Sequence, residues 1–474
     1  MPRVLPVADT ARLTAACPDL SSPSRYNGSR EAMRYRTRLR RIVCSTASVG
    51  VLLLAQSIGV SGQSQQSRRF LTGPLTIEDQ GSFFIGGVPK ITEDAVRPAS
   101  GPGTTPPAQP FTPSPHQITI GQMYVQFQTP AKKSGPGWPV IMVHGSSHTA
   151  ACLESTPDGR EGWYPYFVRK GVSTYVVDQA GRGRSGFDHS VLHEARSRIE
   201  RGDANGALDR IPSFGRITDN SAWTGWFGHL MPPDSTILTG TLIPHGAPGD
   251  PNPNPDTFRH VAPLFPIEAV DTNSVSRDGA LGPAPAGPLS HYGLEYYKQL
   301  VPNSEVTLPG SSCSTCDPKE LSPANTWTPR NLALLVERLG GAIVATHSQS
   351  GIMGLHMARI LKERGHLDLL KGLITIEGSC SLTNSGLTAA DFDEIPYLAL
   401  KGDYTPTSTG CQDTVNAIAA RRATKQGTAR ADYLKLDEMG MLGVTHMMML
   451  DRRNLEIADI LLNWANKNVR KNAK

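Results

Sequence analysis

The stretch Ala342–Gly354, AIVATHSQSGIMG, decides how the rest of the chain is read. Its first four residues form a short apolar run of the kind found in strands buried on both faces. From Ile352 onward, Leu355, Ile360 and Leu361 recur near the 3.6-residue period of a helix. Between strand and helix lies Thr346-His347-Ser348-Gln349-Ser350-Gly351, with room only for a sharp turn. A serine at the tip of such a turn projects its Oγ from the carboxyl end of the sheet, above the positive N-terminus of the next helix. The turn needs small residues two positions either side of its tip, and Thr346 and Ser350 stand where G-x-S-x-G has glycines. With Ser350 as the tip, branched Ile352 would occupy a place that wants a small residue. Ser348 is therefore the predicted nucleophile.

Working outward, the same alternation of strand and helix recurs. Trp138–Val143 (WPVIMV) is another continuous apolar run, followed by a helical stretch over Gly162–Lys170 and a strand over Ser173–Val177. Beyond the turn, strands are predicted at Gly372–Ile376, Tyr397–Leu400 and near Tyr433–Leu436, with helices at Ile352–Arg364, Gln412–Lys425 and Leu455–Asn466. Strands that alternate with helices imply a mostly parallel, doubly wound α/β sheet covered on both faces. Gly81–Gly87 and Gln117–Thr129 alternate instead, and predict an antiparallel pair ahead of it, separated by the Pro/Ser/Thr/Gly-rich linker Pro98–Pro115.

Phe187–Pro323 breaks the pattern. A structureless loop of this length inside a compact domain is improbable, so the segment predicts a large cap insertion over the site. Trp223, Trp226, Phe227, Phe258, Phe265, Tyr292, Tyr296 and Tyr297 give it apolar surface with which to anchor on the core. Gln179–Gly186 (QAGRGRSG) lacks the Lys-Ser/Thr ending of a phosphate loop and reads as a turn feeding the cap.

Nucleophilic chemistry on Ser348 needs partners. The run 138–143 ends in His144-Gly145-Ser146-Ser147, where the Ser146 N–H can serve as one oxyanion donor and the Gln349 N–H as the other. A base is expected between the last strand and the C-terminal helix, and His446 is the only histidine after His366. Its neighbours Met447, Met448 and Met449 read as core packing. Two carboxylates end successive strands, Glu377 after GLITI and Asp403 in LKGD, and either could hold the imidazole tautomer.

The blocks VIMVHG, TPDGREGW, STYVVDQAGRGRSG, THSQSGI and GVTHMMMLDRRNLEIADILLNW resemble a group of exported bacterial α/β-hydrolase esterases. The type member of that group acts on halogenated cyclic esters. The likeness covers most of 72–187 and 324–466. It implies an α/β-hydrolase fold and a triad acid after the sixth strand, which corresponds to Glu377, with Asp403 the alternative. Two adjacent cysteines of that group are replaced here by Ser146-Ser147, and the cap is longer, so its substrate preference does not carry over.

Composition sets the remaining bounds. The formal charge is +5, yet residues 1–62 hold nine arginines against three acids, leaving the rest near neutral. That balance offers no footprint for nucleic acid. Arg34–Arg41 followed by the apolar Ile42–Val60 and small Val60-Ser61-Gly62 reads as a signal peptide starting at Met33. The alternative is an uncleaved anchor, although Ser45, Thr46, Ser48, Gln56 and Ser57 make a poor span. Of seven cysteines, Cys313 and Cys316 suggest a small disulfide clasp, and Cys380 and Cys411 follow the two acid-bearing strand ends. The expected division is a leader (1–62), a first core part (63–187), a cap (188–323) and a second core part (324–474). The expected activity is carboxylic ester hydrolysis on a small-molecule substrate by an exported enzyme needing no metal or cofactor. Amide, carbamate or lactone cleavage by the same triad, or a non-catalytic binding protein on this fold, are the alternatives.

Overall fold

The computed structural model describes residues 70–94, 114–208, 216–227, 263–266, 290–302, 327–383, 385–403 and 410–469, and the backbone of short strands at 229–230, 242–243, 270–275 and 281–284. The chain divides into two compact units, Met1–Arg68 and Arg69–Lys474, and the described residues belong to the second. The expected leader, the Cys313/Cys316 clasp, Phe258 and most of the Pro98–Pro115 linker lie outside the described residues.

In chain order the first strands are β1 (Ile77–Asp94), β2 (Ser114–Pro130), β3 (Val140–Val143) and β4 (Thr174–Asp178). Short strands β5 (His229–Leu230), β6 (Leu242–Ile243), β7 (Val270–Val275) and β8 (Leu281–Ala284) form two separate antiparallel pairs within the insertion. The core resumes with β9 (Ala342–His347), β10 (Leu370–Ile376), β11 (Tyr397–Lys401) and β12 (Ala431–Lys435). Eight of these make one sheet in the order β1-β2-β4-β3-β9-β10-β11-β12. The β1/β2 and β2/β4 pairs are antiparallel, and the six strands from β4 to β12 run parallel. This is the α/β-hydrolase fold.

Both faces of the parallel strands are buried, which is why they read as continuous apolar runs. Along β3 and β9, Val140, Met142, Ile343 and Ala345 pack with the helices Trp163–Arg169 and Asn454–Asn468. Ile141, Val143, Ala342 and Val344 face the helices Trp327–Arg338 and Ser350–Glu363 on the other side. Each of the Val, Ile and Met side chains among them, taken fully from water, contributes about 1.5–3 kcal/mol. The period of two thus builds two cores on either side of one sheet.

The N-terminal hairpin is longer than its alternating runs suggest. Gly86, Gly87 and Gly121 all adopt positive φ (69°, 90° and 73°) inside continuous strands, so glycines that read as boundaries are bends. No helix among the described residues is long and apolar enough to cross a membrane.

Candidate active site

Strand order reverses direction of travel at β3, which has β4 on one side and β9 on the other. In open α/β sheets ligands bind at the carboxyl ends of the strands beside such a switch point. The loops after β3, β9 and β10 meet there.

The turn after β9 is two residues long, Ser348 and Gln349, before the helix Ser350–Glu363 begins. Ser348 has φ 54°, a left-handed conformation that costs a non-glycine residue about 1–2 kcal/mol. Hydrogen bonds hold it there: Ser348 N–H donates to Ile376 O (2.9 Å) and Gly351 N–H to Ser348 O (2.9 Å). Ser350 is wholly buried, and its hydroxyl lies 3.0 Å from Val143 O and 2.8 Å from His347 O, stitching the turn to β3. Its hydroxyl also accepts from His347 N–H (2.8 Å). A serine here therefore performs structural work that glycine could not. At Gly145 a Cβ would lie 2.8 Å from Ser348 Cβ and 2.9 Å from His347 Nδ1, so close approach of the two loops demands glycine.

His446 Nε2 lies 2.9 Å from Ser348 Oγ, and His446 Nδ1 lies 2.6 Å from Glu377 Oε2. The other oxygen of Glu377 accepts from Gly402 N–H at 2.6 Å. Glu377 follows β10 directly, with φ 48°, and its backbone N–H donates to Leu400 O (2.9 Å). The structure thus brings Ser348, His446 and Glu377 into one hydrogen-bonded line. Asp403 is not in that line. Its two oxygens accept from Gly443 N–H (2.9 Å) and Val444 N–H (2.7 Å), so it holds the loop that carries His446. Burial pushes its carboxyl pKa up.

That loop has further supports absent from the sequence reading. Asp451 is buried and accepts from Thr445 N–H and Thr445 Oγ–H, both at 2.8 Å. Burial raises its pKa to about 8. Arg160, from the TPDGREGW block, donates to Asp451 O and Leu450 O at 2.7 Å. His446 N–H itself donates to Trp226 O (3.0 Å) in the insertion. Met447, Met448 and Met449 are fully buried in the core.

The loop after β3 is held by the insertion too. Ser147 has φ 57°, and its carbonyl accepts from Val301 N–H (2.8 Å). His148 Nδ1–H donates to Ser146 O (2.6 Å), and its Nε2 accepts from Tyr296 O–H (2.8 Å). Trp226 packs its ring 5.1 Å from His148 and 6.0 Å from His446. Ser146 lies in the loop after β3, and Gln349 follows Ser348 in the turn after β9. Gln349 is the N-cap of its helix, where N–H groups have no intrahelical acceptor.

Three histidines besides His446 crowd this end of the sheet. Burial lowers the pKa of His144 to about 4 and of His148 to about 3, and takes that of His347 well below its ordinary value. All are hydrogen-bonded to backbone, with His347 Nε2–H donating to His446 O (2.8 Å). Among the described residues His446 is the histidine that reaches Ser348. No group of three or more His, Cys, Asp or Glu among them is arranged to hold a metal ion.

Arg182 lies in the Gln179–Gly186 segment that the sequence reads as a turn feeding the cap. It is 2% exposed and donates to Gly145 O (2.9 Å) and Gln349 Oε1 (2.7 Å). The paired Gly-Arg spacing of QAGRGRSG is the signal that could have found it. Cys380 and Cys411 are joined by a disulfide, and Cys152 is free and buried.

The fold is that of the α/β-hydrolases, and the chain is a hydrolase. No family model matches it. It is similar to a bacterial esterase of known structure, with 27% identity, a TM-score of 0.57, and coverage of 84% of this chain and 98% of that one. It is also 22% identical over 391 residues to a probable secreted lipase of a fungal species (strain ATCC 74256), covering 73% of this chain and 86% of the relative.

Proposed function

We propose that this protein is a serine-dependent carboxylic ester hydrolase acting through an acyl-enzyme on Ser348. The observation that carries the reading is the unbroken line Ser348 Oγ–His446–Glu377, at 2.9 and 2.6 Å. Likeness to an esterase and to a secreted lipase supports the ester as the bond cleaved.

In this mechanism His446 Nε2 takes the Ser348 proton as Oγ attacks the acyl carbon. Glu377 keeps the Nδ1 proton in place and stabilises the imidazolium that forms. The oxyanion develops toward the Ser146 and Gln349 N–H groups, which the helix N-terminus at Ser350 reinforces. Collapse expels the alcohol, which carries off the proton from His446. Water, activated by the same imidazole, then attacks the acyl-enzyme and frees the acid and Ser348. Residues 188–323 act as a cap that shapes the substrate pocket. Export is consistent with the Cys380–Cys411 disulfide, since such bonds persist in oxidising compartments.

A fluorophosphonate probe and a panel of chromogenic esters and amides test the reading. The wild type should be labelled and should turn over esters in preference to amides. Ser348→Ala should lose the label and reduce kcat by about a million-fold. An unlabelled, inert wild type would sink the proposal.

A further inference from the structure

We propose that Arg182 is a positioning residue of the oxyanion hole, fixing both backbone donors at once; this rests on the acyl-enzyme reading above. Gly145 C=O and Ser146 N–H are the two ends of one planar peptide group. Whatever anchors the carbonyl therefore aims the N–H. Arg182 Nη1 donates to Gly145 O at 2.9 Å, and His144 Nδ1–H donates to the same oxygen at 2.9 Å. The tautomer of His144 is fixed, because its Nε2 accepts from Gln179 N–H at 3.0 Å. Rotating this peptide would break two buried hydrogen bonds, one of them to a cation. The cation also polarises the amide and strengthens its N–H as a donor.

The other arm of the guanidinium reaches the second donor residue. Arg182 Nη2 donates to Gln349 Oε1 at 2.7 Å, tethering the side chain whose backbone N–H completes the hole. The loop after β4 thus bonds both the loop after β3 and the turn after β9, the three strands being neighbours in the sheet. A planar fork with donors in two directions suits this task, whereas a lysine ammonium is a point charge on a flexible stem. With the side chain 2% exposed, the guanidinium end of both bonds is shielded from water.

The test compares Arg182→Met, Arg182→Lys and Gln349→Met with the wild type on an ester. Removing one oxyanion donor costs about 100- to 1,000-fold in kcat, and misaiming both should cost Arg182→Met about 100-fold. KM should stay within about threefold, because the ground-state ester makes little use of the hole. Affinity for a trifluoromethyl ketone, which forms a tetrahedral adduct on Ser348, should fall in proportion to kcat/KM. Arg182→Lys should recover less than a tenth of the lost rate, and Gln349→Met, which keeps its N–H but loses the tether, should fall about tenfold. A folded Arg182→Met with kcat within threefold of wild type overturns the proposal, as does a loss of kcat with unchanged ketone affinity. Should Arg182→Met not fold, unchanged kcat in Gln349→Met overturns it. Ester turnover that survives Ser348→Ala would instead overturn the acyl-enzyme reading itself.

Discussion

Glu377 and Asp403 differ in what their oxygens accept, and this separates their roles at the level of single residues. Glu377 Oε2 faces His446 Nδ1 at 2.6 Å, while both oxygens of Asp403 are taken by backbone N–H groups of Gly443 and Val444. In Glu377→Gln an amide NH2 can be turned toward Nδ1, which favours the tautomer with its proton on Nε2, facing Ser348. The base is then lost, and kcat should fall by roughly 1,000- to 10,000-fold. Asp403→Asn replaces one of two N–H acceptors with a donor and loosens the His446 loop, for less than about tenfold in kcat and about 1–3 kcal/mol in stability. Steady-state kinetics on one ester decides the matter; collapse in Asp403→Asn alone would exchange the roles. Three of the non-glycine residues with positive φ, Ser147, Ser348 and Glu377, lie one in each of the three loops that meet at the site. Backbone strain held in this way is typical of constellations that must be kept in place.

At the scale of elements, the loop carrying Glu377 is tied to the helix Cys411–Ala423. The Cys380–Cys411 disulfide spans 31 residues, and Thr414 Oγ–H donates to Cys380 O at 2.8 Å. Closing such a loop in the unfolded chain is worth about 3–4 kcal/mol in the chain-entropy account. The double variant Cys380→Ser/Cys411→Ser should therefore lower unfolding free energy by that amount in urea titration. Loss of less than about 1 kcal/mol would show that the bond contributes little. These elements were also the legible part of the sequence. Buried strands such as VIMV and AIVATH announce themselves because both faces are apolar, and a turn of two residues leaves little choice about which serine is exposed. The acid was not legible from residues alone: Glu377 and Asp403 both end strands, and only side-chain direction distinguishes them. Arg182, His148 and Asp451 escaped for a related reason. Arg182 reaches Gly145 O and Gln349 Oε1 across 37 and 167 residues, while His148 and Asp451 hold backbone of their own loops, at Ser146 O and Thr445 N–H, in contacts that no local pattern encodes.

Across the described core, charge burial predicts how stability depends on pH. His144, His148, His347 and His356 are buried, and burial lowers all four pKa values, to about 4 for His144 and His356 and about 3 for His148. Below their ordinary value of 6.5 the unfolded chain binds protons that the folded chain refuses. Stability is then lost as pH falls from 6.5 toward 4, and is fully present above 6.5. Asp451 acts in the opposite sense. Its pKa is raised from 3.8 to about 8, so the folded chain keeps a proton that the unfolded chain releases, and stability declines as pH rises through that interval. Asp403, also raised, adds to this decline. Each proton of difference is worth about 1.4 kcal/mol per pH unit, so four histidines outweigh two carboxyls on the acid side. Above pH 6.5 the histidine contribution is flat, and that of Asp451 persists until about 8. Unfolding free energy measured in urea should therefore rise between about pH 4.5 and 6.5, then fall more gently toward about 8. Asp451→Asn removes the second limb and leaves the first. An alkaline decline that survives in this variant would mean that Asp451 is ionised in the folded protein, its charge carried by Thr445 and not suppressed by burial.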